Sequence, residues 1–159
     1  MNIRVGFGFD VHQIKDGLDF WLGGIIVPHT KGSLGHSDAD VLIHTICDAL
    51  LGAANLGDIG KHFPDTDPKY KGIDSKILLS SVMNLIREKG YELGNIDSTI
   101  CLQKPKIGPY IAEMQKVLAS CMGVNQDLVS IKATTTEKLS FVGREEGVSA
   151  YATVLIQKN

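Results

Sequence analysis

The chain has 159 residues, 43% hydrophobic and 21% charged, which suits one globular domain with a hydrophobic core. Its formal net charge of −2 provides no overall positive field for nucleic acid or anionic membranes. No apolar run approaches the ~20 residues of a membrane helix, and the three cysteines form no Cys-x-x-Cys pair. We therefore expect a cytoplasmic protein with reduced thiols, no targeting segment, and neither a nucleic-acid nor a membrane partner.

The predicted elements alternate between strands and helices along the chain. Strands are predicted at residues 4–11, 20–27, 91–102, 129–135 and 148–157, and helices at residues 38–55, 75–89 and 110–122. Ser37 is the predicted N-cap of the first helix, and residues 56–74, rich in Gly, Asp and Pro, are predicted to form a long functional loop. This order predicts a single domain over residues 1–159, an α/β (α+β) sandwich whose mixed β-sheet carries helices on one face.

One carboxylate and two imidazoles form the strongest candidate for chemistry. Asp10 and His12 are two apart at the expected end of the first strand and can share a face, while His44 lies on the first helix. Such a donor set is typical of catalytic zinc, because three protein ligands leave a fourth position open. Asp48, four residues after His44, could orient its ring. The alternative is that Asp10 is a turn former and both histidines are ordinary polar residues.

Two further segments are suited to binding phosphate. His36 and Ser37 precede the first helix, where free N–H groups and the helix dipole attract anions, although Ser37 could simply be a cap. Residues 134–136 are three consecutive threonines followed by Glu137, a set that could bind phosphate oxygens and Mg²⁺. The alternative is that the threonines reflect strand propensity and that Glu137 lies in a solvated turn.

Nucleotide-binding motifs of the common kinds are absent. Residues 6–11 lack the third glycine of a dinucleotide fingerprint, and Asp58 stands where a Walker-type loop requires lysine. Lys104, Lys106 and Arg144 are compatible with contacts to a phosphate and equally with solvent-exposed loops. The chain is therefore neither a Rossmann protein nor a P-loop NTPase.

Five segments, in chain order, resemble motifs of the 2-C-methyl-D-erythritol 2,4-cyclodiphosphate synthase family: residues 8–12, 36–38, 58–61, 63–68 and 133–139. The resemblance covers essentially the whole chain. It implies a phosphorus–oxygen lyase of the non-mevalonate isoprenoid pathway. Such an enzyme cyclises 4-diphosphocytidyl-2-C-methyl-D-erythritol 2-phosphate and releases CMP.

The resemblance also implies residue roles. Asp10, His12 and His44 would bind Zn²⁺ or another divalent transition metal, and Glu137 would bind Mg²⁺ or Mn²⁺ together with the substrate diphosphate. The implied catalytic residues are His36, Asp48 and Thr135. Substrate contacts are implied for Asp10, His12, His36, Ser37, Asp58, Gly60, Phe63, Asp65, Lys104, Lys106, Ile107, Ala133, Thr134, Thr135, Thr136, Glu137, Phe141 and Arg144.

Assembly as a homotrimer with active sites between subunits is a further implication of the resemblance. The family has a cavity on the three-fold axis that can hold an isoprenoid diphosphate, and Phe9 and Arg144 match residues that line it. Tyr151 occupies a position where some members carry an acidic residue. Two other functions remain open: a zinc phosphohydrolase that activates water, and a non-catalytic trimeric module that binds an isoprenoid diphosphate or a nucleotide.

Overall fold

The computed structural model describes residues 2–158. The strands are β1 (Ile3–Asp16), β2 (Trp21–Leu22), β3 (Ile25–Ile26), β4 (Lys31–Ser33), β5 (Glu92–Cys101), β6 (Val129–Thr134) and β7 (Gly147–Gln157). The helices are α1 (Val41–Ala53), α2 (Ile59–His62), α3 (Ser75–Glu88), α4 (Ile111–Met122) and α5 (Ser140–Gly143). None of the helices in this part of the chain is both long and apolar enough to cross a bilayer.

Five strands form one mixed sheet in the order β4-β1-β7-β5-β6. β1 is antiparallel to β4 and β7, and β5 is antiparallel to β7 but parallel to β6. β2 and β3 form a separate two-stranded hairpin. The mixed sheet predicted from the sequence is confirmed.

The helices cover one face of this sheet. α1 lies over β1 and β7, α4 packs beside β6, and α3 packs against both of these helices. On the opposite face, the alternate β1 side chains of Val5 and Phe7 are 64% and 65% exposed. The predicted arrangement of helices on one face is therefore confirmed, and the other face presents apolar side chains to solvent.

Two glycines of β1 allow α1 to approach the sheet closely. A Cβ atom added to Gly6 would lie 1.9 Å from the Ala49 carbonyl oxygen, and one added to Gly8 would lie 2.1 Å from the Thr45 carbonyl oxygen. Any side chain at these positions would push the helix backbone away from the strand. This close packing brings His44 toward the polar residues that follow on the same face of β1.

The N-terminus of α1 differs from the prediction. Its N-cap is Asp40, whose carboxylate accepts a hydrogen bond from Ile43 N at 3.1 Å, and the predicted cap Ser37 lies outside the helix. Asp40 is fully buried and also accepts from the backbone N–H groups of Gly23 and Gly24, at 3.0 and 2.7 Å. A single carboxylate thus joins the start of α1 to the β2–β3 hairpin, and that contact is not visible in local sequence.

The predicted loop at residues 56–74 contains helical structure. It includes α2 and a 3₁₀ turn at Pro68–Tyr70, which begin after Asp58 and Asp67 respectively. Each aspartate accepts a backbone N–H near the start of its turn, at 2.9 Å from Lys61 and 3.0 Å from Lys69. Elements of three or four residues are too short to show an amphipathic period, so the sequence pattern missed them.

Candidate functional site

Asp10, His12 and His44, called here the metal triad, converge on one point between β1 and α1. Asp10 Oδ2 lies 3.0 Å from His12 Nε2 and 3.2 Å from His44 Nδ1, and the two ring nitrogens are 3.2 Å apart. All three residues are half-buried. Among residues 2–158, the triad is the only group of three His, Cys, Asp or Glu side chains placed to share a metal ion.

The donor set and its spacing fit a divalent metal ion. Ligand atoms about 2.0–2.1 Å from a tetrahedral ion are roughly 3.3 Å from one another, close to the spacings in the triad. His12 Nδ1 lies 3.2 Å from the carbonyl oxygen of Leu34. The N–H of that nitrogen can donate to the carbonyl, which leaves the lone pair of Nε2 directed at the triad.

The charges of the triad are mutually dependent. Burial raises the pKa of Asp10, but hydrogen bonds and attraction to His12 and His44 outweigh burial, so the pKa lies well below its usual range. Burial lowers the pKa of His12, but the hydrogen bond and charge of Asp10 outweigh it, so the pKa is raised. The triad therefore stabilises positive charge beside the Asp10 carboxylate, and a metal ion would compete with protonation of His12 for this position.

The triad does not lie at a strand end, contrary to the prediction. β1 continues to Asp16, and Asp10 and His12 pair with Ala150 and Val148 of β7 within the sheet. The extension of β1 is stabilised by pairing with β4, which the sequence pattern did not predict. The strand pairing of β1 with β7 therefore holds Asp10 and His12, and the packed helix α1 holds His44.

Asp48 does not orient the His44 ring through a hydrogen bond. Its carboxylate accepts from Ile59 N at 2.7 Å and so fixes the start of α2. Burial raises the pKa of Asp48 despite this hydrogen bond. The free ring nitrogen of His44, Nε2, instead lies 3.0 Å from Ser75 Oγ and 3.1 Å from Ser37 Oγ. Ser75 is 31 residues from His44, so no local spacing could reveal this contact.

A cavity of about 360 Å³, called here the metal cavity, opens beside the triad. It is lined by two triad residues, His12 and His44, and by five further predicted substrate contacts: His36, Ser37, Gly60, Phe63 and Asp65. The lining is completed by residues for which no role was predicted: Ile59, Pro64, Tyr70, Ile73 and Leu78. Asp58 does not line it, because its carboxylate caps α2.

A second cavity of about 360 Å³ lies between the loop after β5 and the end of β6. It contains five of the predicted substrate contacts: Lys106, Ile107, Ala133, Thr134 and Thr135. Gln103, Pro105 and Pro109 also line it and were not predicted. The metal cavity and the second cavity have no lining residue in common within one chain.

The remaining predicted residues line neither cavity. They are Asp10, Asp48, Asp58, Lys104, Thr136, Glu137, Phe141 and Arg144. Glu137 has a left-handed backbone conformation, and its carboxylate accepts a hydrogen bond from Thr135 Oγ1 at 3.3 Å. Arg144 donates to the Glu146 carboxylate at 2.9 and 3.3 Å. Glu137 therefore contributes a single exposed carboxylate, which suits only a cation that substrate phosphates also bind.

Comparison with known proteins identifies the family. The sequence model of the YgbB family matches residues 3–157. The chain belongs to the YgbB family. It is 65% identical to the 2-C-methyl-D-erythritol 2,4-cyclodiphosphate synthase of Bacteroides thetaiotaomicron over 159 residues, which cover 100% of both chains. The family resemblance noted in the sequence is confirmed.

Solved structures share the fold of this YgbB protein. The structure described as IspF (Plasmodium falciparum) in complex with CDP is 33% identical with a TM-score of 0.87, and the match covers 99% of this chain and 98% of that one. The bifunctional IspDF from Campylobacter jejuni is 42% identical with a TM-score of 0.95. Here the match covers 99% of this chain but 42% of the bifunctional one, so this chain corresponds to part of that protein.

Proposed function

We propose that this chain converts 4-diphosphocytidyl-2-C-methyl-D-erythritol 2-phosphate into 2-C-methyl-D-erythritol 2,4-cyclodiphosphate and CMP, as a phosphorus–oxygen lyase of non-mevalonate isoprenoid biosynthesis. The observation that carries the proposal is the metal triad beside an open cavity, in a chain 65% identical to a synthase of that name over its full length. An oxygen of the 2-phosphate bonds to the β-phosphorus, the bond from that phosphorus to the bridging oxygen breaks, and CMP leaves with that oxygen. Such a transfer depends on positioning and charge neutralisation rather than on a protein nucleophile.

The metal triad would hold Zn²⁺ or another divalent transition metal, since two imidazoles and one carboxylate suit these ions. Such an ion would supply positive charge to the phosphate oxygens and help to orient them. The His36 ring and the Ser37 hydroxyl line the metal cavity beside the triad and can donate hydrogen bonds to those oxygens. Phe63 and Ile59 form an apolar wall that suits the carbon skeleton of the substrate.

The second cavity would bind the cytidine diphosphate group. Pro105 and Ile107 offer apolar surface for the base. The hydroxyls of Thr134 and Thr135 donate to the Thr135 carbonyl oxygen and the Glu137 carboxylate in this structure, and they would donate to the diphosphate once those hydrogen bonds are exchanged. Glu137, two residues after Thr135, would hold Mg²⁺ or Mn²⁺ jointly with the diphosphate oxygens. The CDP named for the Plasmodium falciparum structure supports a cytidine nucleotide as the ligand.

The active site would form between subunits of a homotrimer. His36 and Thr135, which are proposed to act on one diphosphate, line cavities that share no residue within one chain. The face of β1 that carries Val5 and Phe7 supplies exposed apolar surface for assembly. A neighbouring copy could therefore bring its second cavity against the metal cavity of the first.

An isoprenoid diphosphate on the trimer axis remains a prediction of the resemblance. Phe9 and Tyr151 lie on the same exposed face with ring centroids 5.1 Å apart, which offers apolar surface for an isoprenoid chain. Arg144 is already paired with the carboxylate of Glu146, so a diphosphate would have to compete with that carboxylate. We expect such binding to be weak and sensitive to salt.

Incubation of the purified protein with the cytidylated substrate and Mg²⁺, followed by ³¹P NMR, tests this function. We expect the cyclodiphosphate and CMP as the only phosphorus products, and an Asp10→Asn variant should form neither. Release of inorganic phosphate would instead indicate a zinc phosphohydrolase. Substrate that is bound but unchanged would indicate a non-catalytic binding module.

A further inference from the structure

A chain of hydrogen bonds leads from the metal triad through a buried serine to a half-buried carboxylate. His44 Nε2 lies 3.0 Å from Ser75 Oγ, and the Ser75 hydroxyl donates to Asp38 Oδ1. Asp38 Oδ2 also accepts from the backbone N–H of Ser75 at 2.9 Å. Ser75 is 0% exposed, so the hydroxyl contacts protein groups in place of solvent.

The direction of these hydrogen bonds follows from the chemistry of the groups. The Asp38 carboxylate is surrounded by three donors, namely the hydroxyl and backbone N–H of Ser75 and the backbone N–H of Asp40. The Ser75 hydroxyl is the donor in its contact with Asp38 Oδ1, so its one proton is committed to that carboxylate. Ser75 Oγ can then act only as an acceptor toward His44 Nε2. The proton of the neutral ring therefore lies on Nε2, and the lone pair lies on Nδ1.

We propose that Ser75 and Asp38 are positioning residues, which hold His44 in the tautomer and orientation that direct Nδ1 toward the metal. The proposal rests on the metal site of the proposed function and adds two residues to it. A histidine ligand usually donates its second ring N–H to such a partner, and loss of the partner typically weakens metal binding 10- to 100-fold. Sequence spacing suggested Asp48 for this role, but its carboxylate is engaged by Ile59 N.

The neighbouring Ser37 hydroxyl does not duplicate this function. Ser37 Oγ is 3.1 Å from His44 Nε2, but it also accepts from Ala39 N at 3.1 Å and keeps its own proton free. Because that proton is uncommitted, Ser37 can pair with either tautomer of His44. Only Ser75, whose proton is held by Asp38, selects one of them.

The test compares Ser75→Ala with Ser80→Ala. Both serines belong to α3, and Ser80 donates to the carbonyl oxygen of Cys121, so its loss also removes one hydroxyl-to-protein hydrogen bond. Zn²⁺ affinity of the metal-free full-length proteins would be measured by competition with a chromogenic chelator. We expect Ser75→Ala to bind Zn²⁺ 10- to 100-fold more weakly than the parent, and Ser80→Ala to match the parent.

The visible absorption spectrum of the Co²⁺-loaded proteins separates positioning from general stability. A displaced His44 ligand changes the band shape and intensity, whereas a less stable fold with an intact site leaves them unchanged at temperatures below unfolding. Parent-like Zn²⁺ affinity and Co²⁺ spectrum in folded Ser75→Ala would overturn the proposal, whatever the variant's melting temperature.

Asp38→Asn provides the second variant. Its amide cannot accept from all three donors, so the hydroxyl of Ser75 is no longer held in one direction, and we expect the same weakening of Zn²⁺ binding. If Ser75→Ala does not fold, a parent-like Zn²⁺ affinity in Asp38→Asn is sufficient to overturn the proposal. A parent protein that binds Zn²⁺ in a Ser75-dependent manner but forms no cyclodiphosphate would reject the proposed function and retain this positioning role.

Discussion

The metal cavity and the second cavity are built in different ways. The metal triad is half-buried, is held between a continuous sheet ladder and a closely packed helix, and reaches a fully buried serine through hydrogen bonds. Near the second cavity, the exposed Glu137 carboxylate accepts a hydrogen bond from the neighbouring Thr135. Lys104 lies 3.9 Å from the Glu145 carboxylate with 68% of its side chain exposed. We therefore propose that one chain pre-forms the metal half of the site, whereas substrate and a neighbouring subunit complete the nucleotide half.

Loss of a triad ligand should have the largest effect. We expect His44→Ala to lose bound zinc and to reduce turnover on the order of 10³-fold or more, because charge stabilisation worth several kcal/mol disappears. Circular dichroism should show an intact fold. Asp97→Asn, which changes an exposed carboxylate outside both cavities, is the control. Full zinc content in His44→Ala would contradict the ligand assignment.

Gly8→Ala should disturb the metal half of the site by displacing the backbone of α1. The added Cβ would lie 2.1 Å from the Thr45 carbonyl oxygen, so α1 has to move, at a cost of about 1–3 kcal/mol in unfolding free energy. Zinc affinity should fall as well, because His44 moves with the helix. Gly52→Ala, where a Cβ on α1 meets open space, should instead stabilise the protein by roughly 0.5–1 kcal/mol. Equal urea midpoints for Gly8→Ala and the parent would argue against the close-packing account.

Glu137→Gln should affect the nucleotide half of the site and leave the metal half unchanged. We expect turnover at limiting Mg²⁺ to fall on the order of tenfold, equivalent to about 1.4 kcal/mol, while zinc content stays at the parent level. A titration with Mg²⁺ should recover part of the loss. Glu113→Gln, on α4 and outside both of these cavities, serves as the matched control. Unchanged turnover across the titration would remove Glu137 from the proposed mechanism.

Lys104→Ala should have the smallest effect. The ammonium group is largely exposed, so its attraction to a diphosphate is screened, and we expect a rise in KM of only about two- to tenfold. Zinc content and kcat should stay unchanged, and Lys69→Ala, also exposed, should behave like the parent. A loss of zinc in Lys104→Ala would show that a change in the nucleotide half also disturbs metal binding in the other half.

The sequence predicted features that depend on short-range periodicity. The two-residue spacing of Asp10 and His12 predicts a shared face on an extended strand, and the structure places both in the triad. The full extent of β1 was not predicted, because it depends on pairing with β4. Asp48 lies four residues after His44, a spacing that favours a contact on one helix face. Its carboxylate instead accepts a hydrogen bond from Ile59 N at the start of α2.

Contacts between distant segments explain most of what the sequence did not reveal. Ser75 reaches His44 across 31 residues, and Asp40 reaches the β2–β3 hairpin across 16 and 17 residues. Both residues lie in the first turns of the helices predicted at residues 75–89 and 38–55, where serine and aspartate are common for local reasons. Their wider roles depend on tertiary packing, which sequence pattern alone does not determine.

Turnover by metal-stripped protein, with and without restored Zn²⁺, tests the central claim most directly. The protein would be stripped with a chelator, returned to Mg²⁺ buffer, supplied with the cytidylated substrate and followed by ³¹P NMR. We predict no cyclodiphosphate from the stripped protein and recovery of cyclodiphosphate and CMP at one Zn²⁺ per chain. Cyclisation at the parent rate by protein verified as zinc-free, or inorganic phosphate as the product after Zn²⁺ addition, would contradict the account.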